Sequence, residues 1–251
     1  MNKTLLYIFG AGASSEALPL AKDLSDRILS SAAELQAINP INIQRDPETP
    51  LDKQLWGGIR EDFVKALEWL GSESKRHVSV DTYAKKLFFK NDSQNLKRLK
   101  VVLSTYLVVE QSRKPTDKRY DAFLATILNL DAQRNVSLPQ HLRIITWNYD
   151  TQLEKAFYEF CDDGNHVLKS ITLNKQQIYR VNGYCGTLQP NLTGSAFRSV
   201  WRSKNHESAW EEGLQLYKQY MSGEDTIAPD ICFAWEETTR NNMASNDLNL
   251  H

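Results

Sequence analysis

Cysteine is scarce in this chain of 251 residues: only Cys161, Cys185 and Cys232, with no C-x-x-C pair among them. That excludes a four-thiolate zinc module and a disulfide framework, and it suits a reducing compartment. An excess of one charge is also missing, since 30 basic residues nearly balance 31 acidic ones. No field of one sign draws the surface to nucleic acid or to an anionic membrane, so neither is expected as a partner. The basic run "KNDSQNLKRLK" reads as the solvated face of a helix. No apolar run reaches membrane-spanning length, and the opening "MNKTLLYIFGAG" meets glycine too soon for a signal-peptide core. A soluble, cytoplasmic protein is expected.

Apolar residues make up 41% of the chain. Its length is near the upper limit of one hydrophobic core, which suggests one large domain or one carrying an insertion. Residues 4–9, "TLLYIF", form a short apolar run closed by glycine, the pattern of a strand buried on both faces. "GAGASS" follows, then a helix expected to begin at or just after Pro19, with Leu20, Leu24, Ile28 and Leu29 at helical spacing.

Residues 39–50, with three prolines, read as a loop. Helical periodicity then dominates through "PLDKQLWGGIREDFVKALEWLG", expected to stop at Gly71, and through "SVDTYAKKLFF", "LKRLKVVLSTYLVVEQ" and "DKRYDAFLATILNL". Strands are expected at 142–147 ("LRIITW"), 166–173, 177–181 ("QIYRV") and 230–236 ("DICFAWE"), with a polar helix at "ESAWEEGLQLYKQYM". This order predicts an α/β fold: a Rossmann-like parallel sheet flanked by helices, with a helical insertion at about 45–135 as a lid or second lobe. Residues 1–236 form the expected single domain, and 237–251 a frayed or disordered tail.

Three places carry candidate chemistry. Gly10 and Gly12 follow a strand, where missing side chains let the backbone approach a diphosphate and a helix N-terminus would add N–H donors. Ser15 stands where the third glycine of the dinucleotide fingerprint belongs, and a ligand-free tight turn explains the residues equally well. In "ITWNYD", Thr146 and Trp147 lead to Asn148 at the carboxyl end of a strand, the edge where open α/β sheets bind ligands. Asp150 has a sufficient explanation as a helix cap; Asn148 has none, and points to a ligand. In "YRVNGYCG", Asn182 and Gly183 end a strand, and an Asn-Gly hairpin turn accounts for them too. Three polar or glycine-bearing strand ends are expected to share one sheet edge.

"GAGAS", "ALPLA", "VDTYAKKL", "TWNYD" and "VNG", in that order, resemble the sirtuin-like domains of bacterial anti-phage defence systems. Four of these short motifs in sequence, across about residues 4–190, make the likeness fairly specific. It implies a Rossmann-like NAD binder of a family whose active members split NAD into nicotinamide and ADP-ribose. Gly10, Ala11, Gly12, Ala13 and Ser14 would then line the diphosphate and ribose, and Leu18, Pro19 and Leu20 the nicotinamide loop. Asn148 would hold the nicotinamide ribose or the attacking water. Asp150 would contact the carboxamide or orient Asn148.

The chain departs from the family pattern in several places. Asn182 occupies the position of the family's catalytic histidine before Gly183, and an amide cannot take a proton near neutral pH. Losing a general base typically costs about a hundred- to ten-thousand-fold in rate. His141 and His166 fall before or within strands and are expected to be structural. Leu20-Ala21 replaces the Phe-Arg pair of the deacylases, which, with the missing zinc module, excludes deacylation. No late G-Y-S-like strand follows "ICFAWE", which leaves the adenine side open or completed by a partner. The resemblance therefore implies NAD or a related nucleotide as ligand, no metal, and a homo-oligomer or a defence-system partner protein. It leaves two functions: an NAD glycohydrolase, weak or partner-dependent, or a non-catalytic NAD or ADP-ribose binding module.

Overall fold

The computed structural model describes residues 4–38, 53–130, 136–161, 177–186, 206–222 and 228–236. The expected strand at 166–173, the loop at 39–50 and the tail at 237–251 lie outside these residues. The chain is mixed α/β and forms two compact units: Met1–Ala17, Thr116–Tyr184 and Ile231–His251 in one, Leu18–Pro115 and Cys185–Asp230 in the other.

The first unit holds a parallel sheet in the order β1 (Leu5–Phe9), β4 (Leu142–Thr146), β5 (Ile178–Arg180). Its register sets Phe9 beside Thr146 and Thr146 beside Arg180. The carboxyl ends of all three strands therefore meet at one edge. One sheet face carries Tyr7, Phe9, Leu142, Ile144 and Ile178 onto α5 (Lys118–Ile127) and α6 (Gln152–Glu159), which answer with Tyr120, Leu124, Leu153, Ala156 and Phe157. Alternation along each strand sends every second residue to that core. Each fully buried Leu or Phe there contributes about 1.5–3 kcal/mol.

The strand expected to be buried on both faces is not. Among the described residues β1 is the edge of the sheet, and Leu6 and Ile8, on its far face, stay 49% and 56% exposed. The expected strand at 230–236 shrinks to β7 (Asp230–Ile231), paired with β6 (Gly183–Tyr184). Beyond it the Phe233 N–H donates to Glu236 Oε2 at 2.8 Å and the Glu236 N–H to the Phe233 carbonyl at 2.9 Å, closing a turn that stops the ladder. A separate pair of two-residue strands, β2 (Asn129–Leu130) and β3 (Val136–Ser137), runs antiparallel.

The second unit is helical: α1 (Ala21–Ala37), α2 (Lys53–Arg76), α3 (Val80–Phe89), α4 (Ser93–Ser112) and α7 (His206–Met221). Ser79 and Asp92 cap α3 and α4 through the N–H groups of Thr82 and Asn95. α4 is buried on every side from Val101 to Ser112, as the central helix of a bundle must be. Its one buried acid, Glu110, receives Arg27 Nε at 2.7 Å and lies beside Arg113.

Two expectations fail here. α2 does not stop at Gly71 but runs on to Arg76, because Gly71 is where Leu29 of α1 lies against the helix; a Cβ would fall 2.7 Å from Leu29 Cγ. α7 is not a polar surface helix: Ala209, Trp210, Leu214, Leu216, Tyr217 and Tyr220 are all buried. Among the described residues no helix is long and apolar enough to cross a membrane.

Candidate functional site at the carboxyl edge of the sheet

Gly10 leaves β1 in an extended conformation (φ −120°, ψ −176°), and Ala11–Ser14 make a 3-10 turn closed by the Ala13 N–H on the Gly10 carbonyl, 2.8 Å. A Cβ built on Gly10 or Gly12 meets no atom within 4 Å. Neither the backbone angles nor this chain's own packing therefore requires glycine there. The helix expected to begin at or just after Pro19 is α1, which starts at Ala21 and belongs to the other unit. Leu18, Pro19 and Leu20 also belong to that unit, Leu18 buried and the other two half-buried.

Ser14 points inward from the turn and is buried. Asn148, only 6% exposed, donates from Nδ2 to Ser14 Oγ at 3.1 Å and, at 3.4 Å, to the hydroxyl of Tyr120. Tyr120 and Ser14 are themselves 3.2 Å apart. The Asn148 backbone N–H donates to Thr146 Oγ1 at 3.1 Å, which turns the chain off the strand. Burial pushes the Asp150 carboxyl above its ordinary range, while the Gln152 N–H and the Ser14 hydroxyl partly hold it down. Asp150 accepts from the first residue of α6, Gln152, at 3.0 Å, so it does cap that helix.

The Ser14 hydroxyl also bonds Asp150, and its oxygen accepts from Asn148. Nδ2 of Asn148 faces both hydroxyls, which leaves its carbonyl Oδ1 as the group that can meet a ligand. Asn148 at this edge is an acceptor.

Asn182 stands next to it. Its Nδ2 donates to the Trp147 carbonyl at 3.0 Å, its own carbonyl accepts the Cys232 N–H at 2.9 Å, and its buried Oδ1 has no partner among the described residues. A buried acceptor left unmade costs about 1–3 kcal/mol, so this amide oxygen calls for an explanation. Trp147 itself is 44% exposed and donates its N–H to the Phe9 carbonyl. Gly183 has φ 68°, the left-handed region that favours glycine. The turn is not a hairpin, however: β5 pairs with β4, and β6 pairs with β7.

The structure thus brings together Gly10, Ala11, Gly12, Ala13, Ser14, Thr146, Trp147, Asn148, Asp150, Asn182 and Gly183. It also adds residues that motif reading missed. Tyr120 supplies a hydroxyl, and burial raises its pKa above the ordinary phenol value. Arg119 donates to the Gly12 carbonyl at 2.6 Å and to Ser15 Oγ at 3.0 Å, and pairs with Asp117, which accepts the Glu16 N–H at 2.9 Å. Arg180 crosses from β5 to the carbonyls of Asn148 (3.1 Å) and Asp150 (2.8 Å) and to Glu154. The only signal for these in the sequence was their chemistry; nothing in "DKRY" or "QIYR" marks them. His141 lies at the opposite end of β4, where its carbonyl accepts the Leu5 N–H. His166 falls outside the described residues. No protein-family model, curated protein or solved structure matches this chain.

Proposed function

We propose that this chain is a sirtuin-like NAD-binding domain of a prokaryotic defence system. On this reading the sheet is Rossmann-like, the helices after β1 are an inserted lobe, and the protein works in the cytoplasm with a partner protein or as an oligomer. Its reaction is hydrolysis of the nicotinamide–ribose bond, water adding to the ribose carbon as nicotinamide leaves, to give ADP-ribose and a proton. The observation that carries the reading is the meeting of Gly10–Ser14, Asn148 and Asn182 at one carboxyl edge, with both glycines lacking a reason in the chain's own packing.

Each part has a task. The glycines admit a diphosphate, and Asn148 Oδ1 accepts from the attacking water or a ribose hydroxyl. Asn182 orients a hydroxyl but takes no proton, so the reaction runs without a histidine base and is slow, or waits for a partner. The same absence favours the second reading, a domain that binds NAD or ADP-ribose and does not turn it over.

The test is nicotinamide release from NAD by concentrated protein, beside Asn148→Ala and with a melting curve on each. Release lost in Asn148→Ala, with the fold intact, supports the hydrolase. A thermal shift with NAD but no release supports the binding module. Neither release nor shift rejects both.

A further inference from the structure

We infer that Tyr120 is a positioning residue for Asn148, acting from the first turn of α5 on a side chain 28 positions away. Its functional consequence rests on the reading of Asn148 given above. Tyr120 is 2% exposed, and its ring meets Phe9 edge-on at 5.6 Å, which sets the direction of the hydroxyl. That hydroxyl lies between Ser14 Oγ at 3.2 Å and Asn148 Nδ2 at 3.4 Å.

An asparagine amide is close to symmetric in shape, so sterics alone do not choose which end faces the ligand. Ser14 and Tyr120 together face the Nδ2 of Asn148, and the Tyr120 hydroxyl adds a second oxygen that favours the nitrogen inward and Oδ1 toward the edge. The turn that holds Tyr120 is fastened separately. Asp117 caps α5, and Arg119 ties the same turn to Gly12 and Ser15. One short segment, Asp117–Tyr120, thus holds both the glycine turn and the asparagine.

The test is Tyr120→Phe in the full-length chain, which deletes one oxygen and keeps the ring packing. A site-specific 3-fluorotyrosine at the same position keeps the hydroxyl and serves as the rescue. In uniformly 15N-labelled protein, hydrogen exchange of the Asn148 side-chain amide should quicken about ten-fold in Tyr120→Phe and return with fluorotyrosine. Nicotinamide release should fall about ten-fold in kcat with KM unchanged. Unchanged amide exchange overturns the inference. So does a rise in KM with kcat intact, because that would make Tyr120 a binding contact. If the wild-type chain neither binds NAD nor releases nicotinamide, the functional reading fails by itself, and the exchange comparison still decides whether Tyr120 sets the amide. If Tyr120→Phe does not fold, the wild-type chain decides: a nuclear Overhauser contact from the Asn148 side-chain N–H to the Tyr120 ring upholds the inference, and its absence overturns it.

Discussion

Asp150 is a carboxylic acid with almost no access to water, and it shows how one residue serves as helix cap and site wall together. Burial raises its pKa, so the folded chain keeps the proton at pH values where the unfolded chain has released it. The stability this group contributes is therefore fully present below the ordinary carboxylate value of about 3.9. It is lost as pH rises through the higher folded value. Asp150→Asn removes the titration but keeps an oxygen for the Gln152 N–H. Its melting temperature relative to wild type should climb as pH goes from about 4 to about 8. A gap that narrows with pH would mean that Arg180 and the hydrogen bonds outweigh burial. Asn182 gives a second residue-scale prediction. If it stands where a base once acted, Asn182→His should raise nicotinamide release at neutral pH, by up to the hundred- to ten-thousand-fold or so that a general base supplies. No rise would remove Asn182 from the catalytic part of the proposal and leave it a binding group.

At the scale of the element, glycine has two opposite meanings within one helical unit. Gly213 of α7 lies where a Cβ would come 2.2 Å from Val109 Cγ2 of α4, a stiff β-branched side chain with no exposure. Overpacking of this kind costs about 1–3 kcal/mol, against about 1 kcal/mol gained in helix propensity. Gly213→Ala should therefore lose stability or at best hold level. Gly58 of α2 has no atom within 4 Å of its missing Cβ, and Gly58→Ala should gain about 0.5–1 kcal/mol. Urea unfolding of the pair, with equal m-values, separates a packing glycine from an idle one. The same contacts explain what was legible. The helices declared themselves by apolar spacing. Gly71 read as a stop because the sequence does not show that Leu29 lies against it. α7 read as polar because Glu211 and Glu212 sit in its first turns, yet both are buried, and only the surrounding bundle makes them so.

For the whole molecule, the chain assembles each unit from segments far apart in sequence, with β1 separated from β4 by the helices α1 to α5. This is why the site was half legible. The strand ends announced themselves through the motifs at Gly10, Asn148 and Asn182, and parallel pairing brought those ends to one edge. Tyr120, Arg119 and Arg180 carry no motif, because their roles exist only once α5 and β5 are laid beside the loops. All the site residues found together belong to the sheet unit, and that makes a prediction about where a ligand is felt. With NAD at a hundred times Kd, binding should stabilise the fold by about 2.7 kcal/mol. Amide exchange should slow across residues 10–15 and 146–151, whose N–H groups and carbonyls form the edge. The interior of α4, far from that edge in the chain and buried by its own bundle, should slow only as much as global stability requires. Protection confined to the two loops, and lost in Asn148→Ala, would locate the ligand on the edge that three strands share. Protection centred instead on the helical unit would move the nucleotide site away from Asn148, and the motif likeness would then no longer support the function drawn from it.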